Sequence, residues 1–305
     1  MCTIRHFERE IVQLNRAGLV AGTAHLYIGM EAIAVGACAA MRENDLLTST
    51  HRGHGHCIAR GLDMGHMMAE ILGRADGYCH GKGGSMHITD VSRGVLGADG
   101  IVGGGIPLAV GAALGLRLKR NNSIVFCFFG EGAANQGSFH EALNLASLRQ
   151  LPVVFICENN QWALSASFSE TTAGQSVARR AVAYAMASDR VDGNDVEAVF
   201  RAANDAAERA RRGSGPTLLE CITYRHEGHS VFTRQEIRPT DEIEHWKKQD
   251  PIERYRSLLI AEDIASASKL GEIDAEVSRL VSSAAAFAKN SPSPGLATAF
   301  SGVYA

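Results

Sequence analysis

The stretch SIVFCFFGEGAANQGSFHEAL, residues 123–143, limits the possible architectures more than any other part of the chain. It opens with an unbroken apolar run, which predicts a strand buried on both faces. The chain then turns through Gly130, Glu131 and Gly132 directly into a helical pattern. This strand–turn–helix unit predicts a parallel sheet covered by helices. It also puts a carboxylate at the end of a buried strand, where an unpaired charge is costly.

Predicted strands and helices alternate along the rest of the chain. The strands are expected at 46–50, 123–129, 151–157, 190–193 and 216–224, and helices at 5–18, 29–41, 64–72, 107–119, 137–149, 177–186, 195–212 and beyond 240. This alternation predicts an α/β fold, a parallel sheet flanked by helices on both faces. We expect one domain over residues 1–290, followed by a loosely attached Ser/Pro/Gly/Ala-rich C-terminal tail, 291–305.

Composition narrows the possible functions. With 305 residues, 46% of them hydrophobic, and a net charge of −3, the chain can form a large core and has no charge excess that favours nucleic acid or membrane surfaces. No apolar run approaches the roughly 18 residues of a membrane span. The charged N-terminus lacks a signal-peptide core, and the seven cysteines form no CxxC pair. We therefore expect a cytoplasmic protein with reduced thiols.

Two neighbouring strand ends carry oxygen ligands. Glu131 follows the strand at 123–129, and Asn160 follows the next predicted strand, 29 residues later. A carboxylate beside a phosphate would repel it unless a divalent cation lies between them, and Mg²⁺ is commonly held by one or two protein groups plus phosphate oxygens. On its own, GEG is no more than a strand–helix turn. The paired strand ends favour a magnesium and diphosphate site.

The histidines permit a different interpretation. HRGHGH, residues 51–56, with His80, His87, Cys57 and Cys79 could form a zinc cluster. The spacing lacks a defined ligand set, so a basic loop over a phosphate is the favoured interpretation. His25, His140 and His245 have no motif context and are predicted to be ordinary polar residues. The basic run at 209–213 is predicted to be a solvated helix end.

The chain resembles a known enzyme family. GEG followed by NN is similar to the thiamine diphosphate motif, and further matches run in family order from about residue 3 to 290. They include STHRGHGHCIARG (49–61), GKGGSMHI (81–88), GADGIVGGGIPLAVGAALG (97–115), FFGEGAANQGSFHEALNLASL (128–148), LPVVFICENN (151–160) and GPTLLECITYRHEGHS (215–230). The chain resembles the alpha subunit of the thiamine diphosphate-dependent decarboxylating component of 2-oxo acid dehydrogenase complexes, the pyruvate and acetoin dehydrogenase family.

This resemblance implies a cofactor site. Magnesium would be held by Glu131, Asn160 and the carbonyl of Trp162. The implied cofactor-binding residues are His51, Arg52, Gly100, Val102, Gly130, Glu131, Gly132, Ala133, Asn160 and Arg225. His54 and His229 resemble the family's two catalytic histidines. Guanidinium groups suit diphosphate because they remain charged and bind two oxygens, and imidazole suits proton transfer because it titrates near neutral pH.

The resemblance has three departures. The family almost always has Asp at the position of Glu131. The extra methylene of Glu shifts the carboxylate, and Mg²⁺ binding is sensitive to such a shift because the ion requires strict octahedral geometry. Trp162-Ala163 replaces an aromatic-Gly pair. The segment after GHS, VFTRQEIRP, has Arg238 but lacks the Asp-Pro pair and the Tyr that the family usually has there. A catalytically silent subunit that binds thiamine diphosphate is therefore an alternative.

A dinucleotide-binding fold is disfavoured, because no GxGxxG follows the first strand.

The resemblance also implies partners and a reaction. A separate beta subunit would contribute the carboxylic acid that activates the cofactor, which implies an α2β2 heterotetramer with the cofactor at the interface. The acyl group would pass to a lipoyl-bearing transacylase. Pyruvate or a related 2-oxo acid is slightly favoured as substrate, and acetoin is the close alternative.

Overall fold

A computed structural model describes residues 1–301 of the chain and has a five-stranded parallel sheet at its centre. The sheet strands are β1 Leu46–Thr48, β2 Val125–Gly130, β3 Val153–Asn159, β6 Ala187–Asp192 and β7 Thr217–Ile222, in the order β1-β2-β3-β7-β6. All four neighbouring pairs run parallel. A short antiparallel hairpin, β4 Trp162–Ala163 and β5 Ala166–Ser167, follows β3.

Helices cover both faces of this sheet. They are α1 Cys2–Arg16, α2 Glu31–Ala39, α3 His54–Ala59, α4 Met64–Ile71, α5 Gly105–Leu118, α6 Gly137–Leu148, α7 Phe168–Thr171, α8 Val196–Arg211, α9 Thr240–Lys247, α10 Pro251–Ala261 and α11 Ala267–Asn290. Within residues 1–301, none of them has both the length and the apolar character needed to cross a membrane. The predicted α/β class is confirmed.

Strand β2 shows why its sequence has no polar alternation. Phe126 and Phe128 pack into the core on the side of α1, α2, α4, α8 and α11. Val125, Cys127 and Phe129 point the other way, into the core beneath α5 and α6. Because successive strand side chains point to opposite faces, a strand covered on both sides must be apolar at every position.

The predicted helix at 177–186 is present as a 3₁₀ helix, Ala178–Tyr184, and ends at Ala185 in the left-handed region. Two other local predictions were wrong. Strand β6 begins at Ala187, three residues before the predicted start. The end of α8 is not fully solvated, because Arg211 is mostly buried and forms an ion pair with Asp45.

The start of the predicted tail packs against the domain. The Ser291 hydroxyl donates to the Asp76 carboxylate over 2.6 Å, and the Pro292 carbonyl accepts from the Ala75 amide over 2.8 Å. Helix α11 ends at Asn290, at the predicted domain limit. The division of the chain at this residue stays a prediction.

A buried carboxylate on α4 organises the glycine-rich segment. Both oxygens of Glu70 accept from backbone amides, those of Cys79 and Gly81 on one side and Gly83 and Gly84 on the other, at 2.7 to 3.0 Å. Four amides that have no strand or helix partner are thereby satisfied without exposing the loop. The loop then leads to Ser85, which contacts the histidine helix α3.

We expect Glu70→Gln to destabilise the fold. The glutamine amide nitrogen cannot accept, so two backbone amides lose their acceptor, at a cost of about 2–4 kcal/mol in the free energy of unfolding. Urea unfolding measures this cost, and hydrogen exchange should quicken at residues 79–84. Glu276→Gln, at an exposed position on α11, is the control and should change little. Equal stability of the two variants would contradict this account of the loop.

Candidate active site

A cavity of about 240 Å³ lies at the carboxyl ends of β1, β2 and β3. In a parallel sheet these ends meet the N-termini of the following helices, where ligands commonly bind. Among its lining residues are Ser49, His51, Arg52, Asp99, Val102, Gly130, Glu131, Gly132, Ala133, Glu158, Asn160, Trp162 and His229. The predicted strand-end site and the predicted basic loop therefore face the same space.

Glu131 and Asn160 meet in this cavity because β2 and β3 are paired in register, with Gly130 opposite Glu158. The Glu131 carboxylate is buried and accepts from the Asn160 amide over 3.2 Å. Burial raises the pKa of Glu131 to about 7, although that hydrogen bond and the charges of Arg225 and Arg52 oppose the shift. Within residues 1–301, no lysine or arginine forms an ion pair with this carboxylate, and a bound divalent cation would offset the cost of burying its charge.

Two guanidinium groups are buried beside this carboxylate. Arg52 donates to the Leu26 carbonyl over 3.0 Å and to the His229 carbonyl over 2.8 Å, and Arg225 donates to the Trp162 carbonyl over 3.3 Å. Burial lowers the pKa of Arg52 to about 9, and the charge of Arg225 adds to this effect. Burial and Arg238 lower the pKa of Arg225 to about 10.

The residues present fit a divalent cation bound together with a phosphate-type anion. The hydrogen bonds of the two buried guanidiniums go to carbonyl oxygens and to one imidazole, so their charges remain available to an anion. Glu131, the Asn160 side chain and the Trp162 carbonyl offer the oxygen ligands that Mg²⁺ prefers. A Cβ added to Gly130 would meet nothing within 4 Å, so the backbone borders open space there.

Three imidazoles cluster on one side of the site, where His51 and His229 line the cavity and His25 packs against both from outside its lining. The ring centroid of His25 lies 4.7 Å from that of His51 and 4.9 Å from that of His229. Burial and the nearby guanidiniums lower the pKa values to about 4 for His25, about 2 for His51 and about 3 for His229. All three rings are therefore neutral at pH 7. Arginine only donates, so the contact of Arg52 with His229 Nδ1 over 3.1 Å makes that nitrogen the acceptor.

The dehydrogenase E1 component family model matches residues 1–297. The chain belongs to this E1 family. The resemblance found in the sequence motifs is thereby confirmed, over nearly the whole chain.

Several curated relatives are similar to this E1 chain. The alpha subunit of acetoin:2,6-dichlorophenolindophenol oxidoreductase from Bacillus subtilis (strain 168) is 49% identical, covering 96% of this chain and 88% of its own. The subunit of the same name from Cupriavidus necator is 42% identical, covering 100% and 92%. The pyruvate dehydrogenase E1 component subunit alpha of Rhizobium meliloti (strain 1021) is 38% identical, covering 99% and 87%.

The structure brings most of the predicted site residues of this E1 chain to the cavity and leaves three outside its lining. Gly100 lies just outside the lining, next to Ile101 and Val102, which belong to it. Arg225 lies behind it and contacts the Trp162 carbonyl. His54 is fully buried, with Nδ1 3.0 Å from both Glu8 oxygens and Nε2 2.9 Å from the Ser85 hydroxyl. Both its nitrogens are occupied by protein groups, so the prediction that His54 lies at the reacting atoms does not agree with its position.

His25, rather than His54, packs beside His229. The prediction that it is an ordinary polar residue was wrong, because it packs against His51 and His229. Within residues 1–301, its Nδ1 is buried without a hydrogen-bond partner. The sequence signal was available, since His25 opens the apolar stretch HLYIGMEAIAVG.

The alternative zinc cluster is not assembled. In the described part of the chain, His51 is the one histidine of the 51–56 run that lies close enough to others to share a metal, and those others are His25 and His229 rather than His80 and His87. Arg52 and Arg225 contact His229 directly, so a further cation would be repelled there.

A second buried carboxylate was missed by sequence reasoning. Glu158 lines the cavity, and one of its oxygens accepts from the Tyr27 hydroxyl and lies 3.0 Å from His56 Nε2. The other nitrogen of His56 lies 2.8 Å from the Ser49 hydroxyl. These hydrogen bonds join β3 to α3 and to the end of β1, and so fix the floor of the cavity. They link Tyr27, Glu158, His56 and Ser49. Only the fold could reveal it, because its members are distant in sequence.

We expect Glu131→Gln to remove a pH-dependent loss of stability. The folded-state pKa of Glu131, about 7, lies above its ordinary value of 4.5, so the folded chain holds the extra proton and loses stability as pH rises between these values. Above pH 7 the variant should be more stable by up to about 3 kcal/mol, and at pH 4 the two should be equal.

Chemical unfolding from pH 4 to 8, with a chelator and without cofactor, measures this difference. Glu141→Gln, an exposed substitution on α6, is the control and should follow the unaltered chain. If the Glu131→Gln curve keeps the same pH slope as the unaltered chain, the assigned ionisation is wrong.

Proposed function

We propose that the chain is the alpha subunit of a thiamine diphosphate-dependent dehydrogenase that cleaves a carbon–carbon bond beside a ketone and passes the acyl group to lipoamide. The observation that carries this proposal is the cavity in which the buried Glu131 and Asn160 lie together with buried Arg52, with buried Arg225 directly behind the lining. Membership of the dehydrogenase E1 family supports it.

Different residues would bind the metal ion and the diphosphate of the cofactor. Glu131, Asn160 and the Trp162 carbonyl would hold Mg²⁺, and Arg52 and Arg225 would neutralise the diphosphate. Backbone amides at Gly132 and Ala133, where a 3₁₀ turn begins after β2, would donate to phosphate oxygens. When bound, thiamine diphosphate supplies a nucleophilic carbon and an electron sink for the bond cleavage.

The imidazoles would move protons beside the substrate. His229 keeps its lone pair at Nδ1 toward Arg52, so in the neutral ring Nε2 carries the proton. Neutral His25 stacks edge-on against it and has an unpartnered Nδ1 within the described chain. A diphosphate beside Arg52 would cancel part of the positive field and so raise the basicity of both rings. His54 instead positions the loop at Ser85.

The alpha-subunit names of the relatives support a beta-subunit partner. We propose an α2β2 heterotetramer in which the beta chain contributes the carboxylic acid that activates the cofactor, a lipoyl-bearing transacylase as acyl acceptor, and a cytoplasmic location.

Acetoin is the substrate that the site favours over pyruvate. Pyruvate brings a carboxylate that needs a cationic partner, and Arg52 and Arg225 would already serve the diphosphate. The two lining imidazoles, His51 and His229, and His25 behind them are neutral at pH 7 because their pKa values are lowered. A neutral ketone such as acetoin costs less to desolvate there. The relatives acting on acetoin also have the higher identities, 49% and 42% against 38%.

We expect Asn160→Ala to weaken magnesium-dependent binding of thiamine diphosphate by roughly 100-fold, because a lost ligand or its support commonly costs that much. Isothermal titration calorimetry on the chain with its beta partner measures this. The Glu131→Asp variant should bind thiamine diphosphate and magnesium at least as tightly as the unaltered chain. The shorter Asp side chain is the one that the family almost always has at this position, and it suits the strict octahedral geometry of the metal. His140→Ala, on the exposed side of α6, is the control. Unchanged binding by Asn160→Ala would refute the metal site.

We also expect kcat/KM for acetoin to exceed that for pyruvate by about tenfold or more, because only pyruvate must bring a charge into a neutral wall. Dye reduction by the reconstituted alpha–beta enzyme measures both substrates. A higher kcat/KM for pyruvate than for acetoin would contradict this preference and would identify a 2-oxo acid as the substrate. Cofactor binding without turnover of either compound would favour the silent subunit.

A further inference from the structure

The side chain of Trp162, a residue that lines the cavity, also contacts helix α9. Its indole nitrogen donates to the Glu242 carboxylate over 2.7 Å, and both side chains are half-buried. A hydrogen bond from N–H to a carboxylate at this length is charge-assisted and is one of the stronger kinds in proteins. Glu242 lies in the first turn of α9, outside the lining of the cavity, so this bond links a later helix to a residue of the site.

The hairpin β4–β5, which carries Trp162, needs support from outside itself. It has two residue pairs, and the residues that flank Trp162 and Ala163, which are Gln161 and Leu164, have positive φ angles of 73° and 56°. A left-handed backbone costs roughly 1–2 kcal/mol at a residue with a side chain, and it persists where the surrounding structure holds it. The position of the Trp162 carbonyl therefore depends on the contacts that Trp162 makes.

Within residues 1–301, three side chains form hydrogen bonds with Trp162. Asn160 Oδ1 accepts from its amide over 3.3 Å, and Arg225 donates to its carbonyl over 3.3 Å. Both bonds are long, and both side chains belong to the proposed magnesium and diphosphate site. The bond to Glu242 is the shortest of the three, and Glu242 is the one partner to which the proposed function gives no ligand. Glu242 is therefore the anchor of Trp162 that cofactor binding leaves free to act.

Helix α9 is itself held against the site. Trp246 lies one turn after Glu242 on the same side of the helix, and its ring stacks on Tyr224 with centroids 5.4 Å apart and planes 7° apart. Tyr224 directly precedes Arg225, just beyond the end of β7. The helix that anchors Trp162 thus packs against the segment that carries the second guanidinium of the site.

The hairpin also borders the turn that follows β2. A Cβ added to Gly132 would lie 2.8 Å from the Ala163 Cβ, which shows how closely the hairpin approaches this turn. A displaced hairpin would therefore disturb both the Trp162 carbonyl and the surroundings of the turn that is proposed to bind phosphate.

We propose that Glu242 is a positioning residue for the metal site, which acts through the Trp162 indole to hold the Trp162 carbonyl in place. This inference rests on the proposed function, in which that carbonyl is a magnesium ligand. A carbonyl oxygen has two lone pairs, so it can accept from Arg225 and also bind a metal ion. Glu242 lies outside the cavity lining, and its contribution is the position of one ligand.

Removal of the Glu242 carboxylate tests the proposal. The probe is Mn²⁺, which takes the same octahedral oxygen ligands as Mg²⁺, titrated together with thiamine diphosphate into the chain assembled with its beta partner. Electron paramagnetic resonance of the free ion gives the dissociation constant. Glu242→Ala should raise this constant by roughly tenfold, as loss of a residue that orients a metal ligand commonly does. The matched control is Glu244→Ala, because Glu244 lies on the same helix and pairs with Lys247 at the surface.

Two further variants separate positioning from a general effect on α9. Glutamine keeps an oxygen that accepts from the indole, so Glu242→Gln should stay within about threefold of the unaltered chain. A contribution of the carboxylate charge to the start of the helix would instead be lost equally in Glu242→Gln and Glu242→Ala. Trp162→Phe removes the indole donor, and in that background Glu242→Ala should cause no further loss of affinity, because the two residues act as one unit.

The possible failures are distinguishable. The proposal is overturned if Glu242→Ala binds Mn²⁺ as tightly as Glu244→Ala, or if Glu242→Gln weakens binding as much as Glu242→Ala. It is also overturned if Glu242→Ala keeps its full effect in the Trp162→Phe background. Each of these results leaves the proposed function standing. If the unaltered chain binds no Mn²⁺ with the cofactor, the proposed function is wrong and this inference is wrong with it.

Discussion

The burial of a single carboxylate, Glu131, at the end of β2 governs the arrangement of the site. A charge in that position is costly, and its pKa is raised for that reason. The parallel register puts Asn160 beside it at the end of β3, and the fold brings Arg52 and Arg225 to the same place. Opposite charges that are each incompletely partnered are held together by the sheet and by the buried network beneath it. Such a site is prepared for a ligand that carries both a cation and an anion.

The same electrostatics explain the histidine wall. Burial and two nearby guanidiniums keep His25, His51 and His229 neutral, so none of these rings adds a positive charge beside Arg52 and Arg225. Binding of an anion would change that balance at all three rings together.

Different parts of the fold give the cavity its rigidity. Glu70 holds the glycine-rich loop through four amides, and His54 joins that loop to Glu8 on α1. Glu158 joins Tyr27 to His56. On the other side, α5 presents an apolar face with two glycines to the outside. One wall of the cavity is thus fixed internally, while its mouth lies beside an exposed apolar side of α5.

The sequence by itself determined the α/β class, the family, and the positions of Glu131 and Asn160 directly after two neighbouring strands. These features depend on local apolar runs and on motifs that are contiguous in the chain. It did not determine which histidines gather beside the cavity: His54 lies two residues after Arg52 but turns into the core, and His25 lies far away in sequence but packs against His229. Helix α3 begins at His54, so the side chains of neighbouring residues point in different directions. The tertiary structure alone decided the histidine wall, the Glu158 network and the exposed side of α5, because each depends on contacts between segments whose separation along the chain gives no local signal.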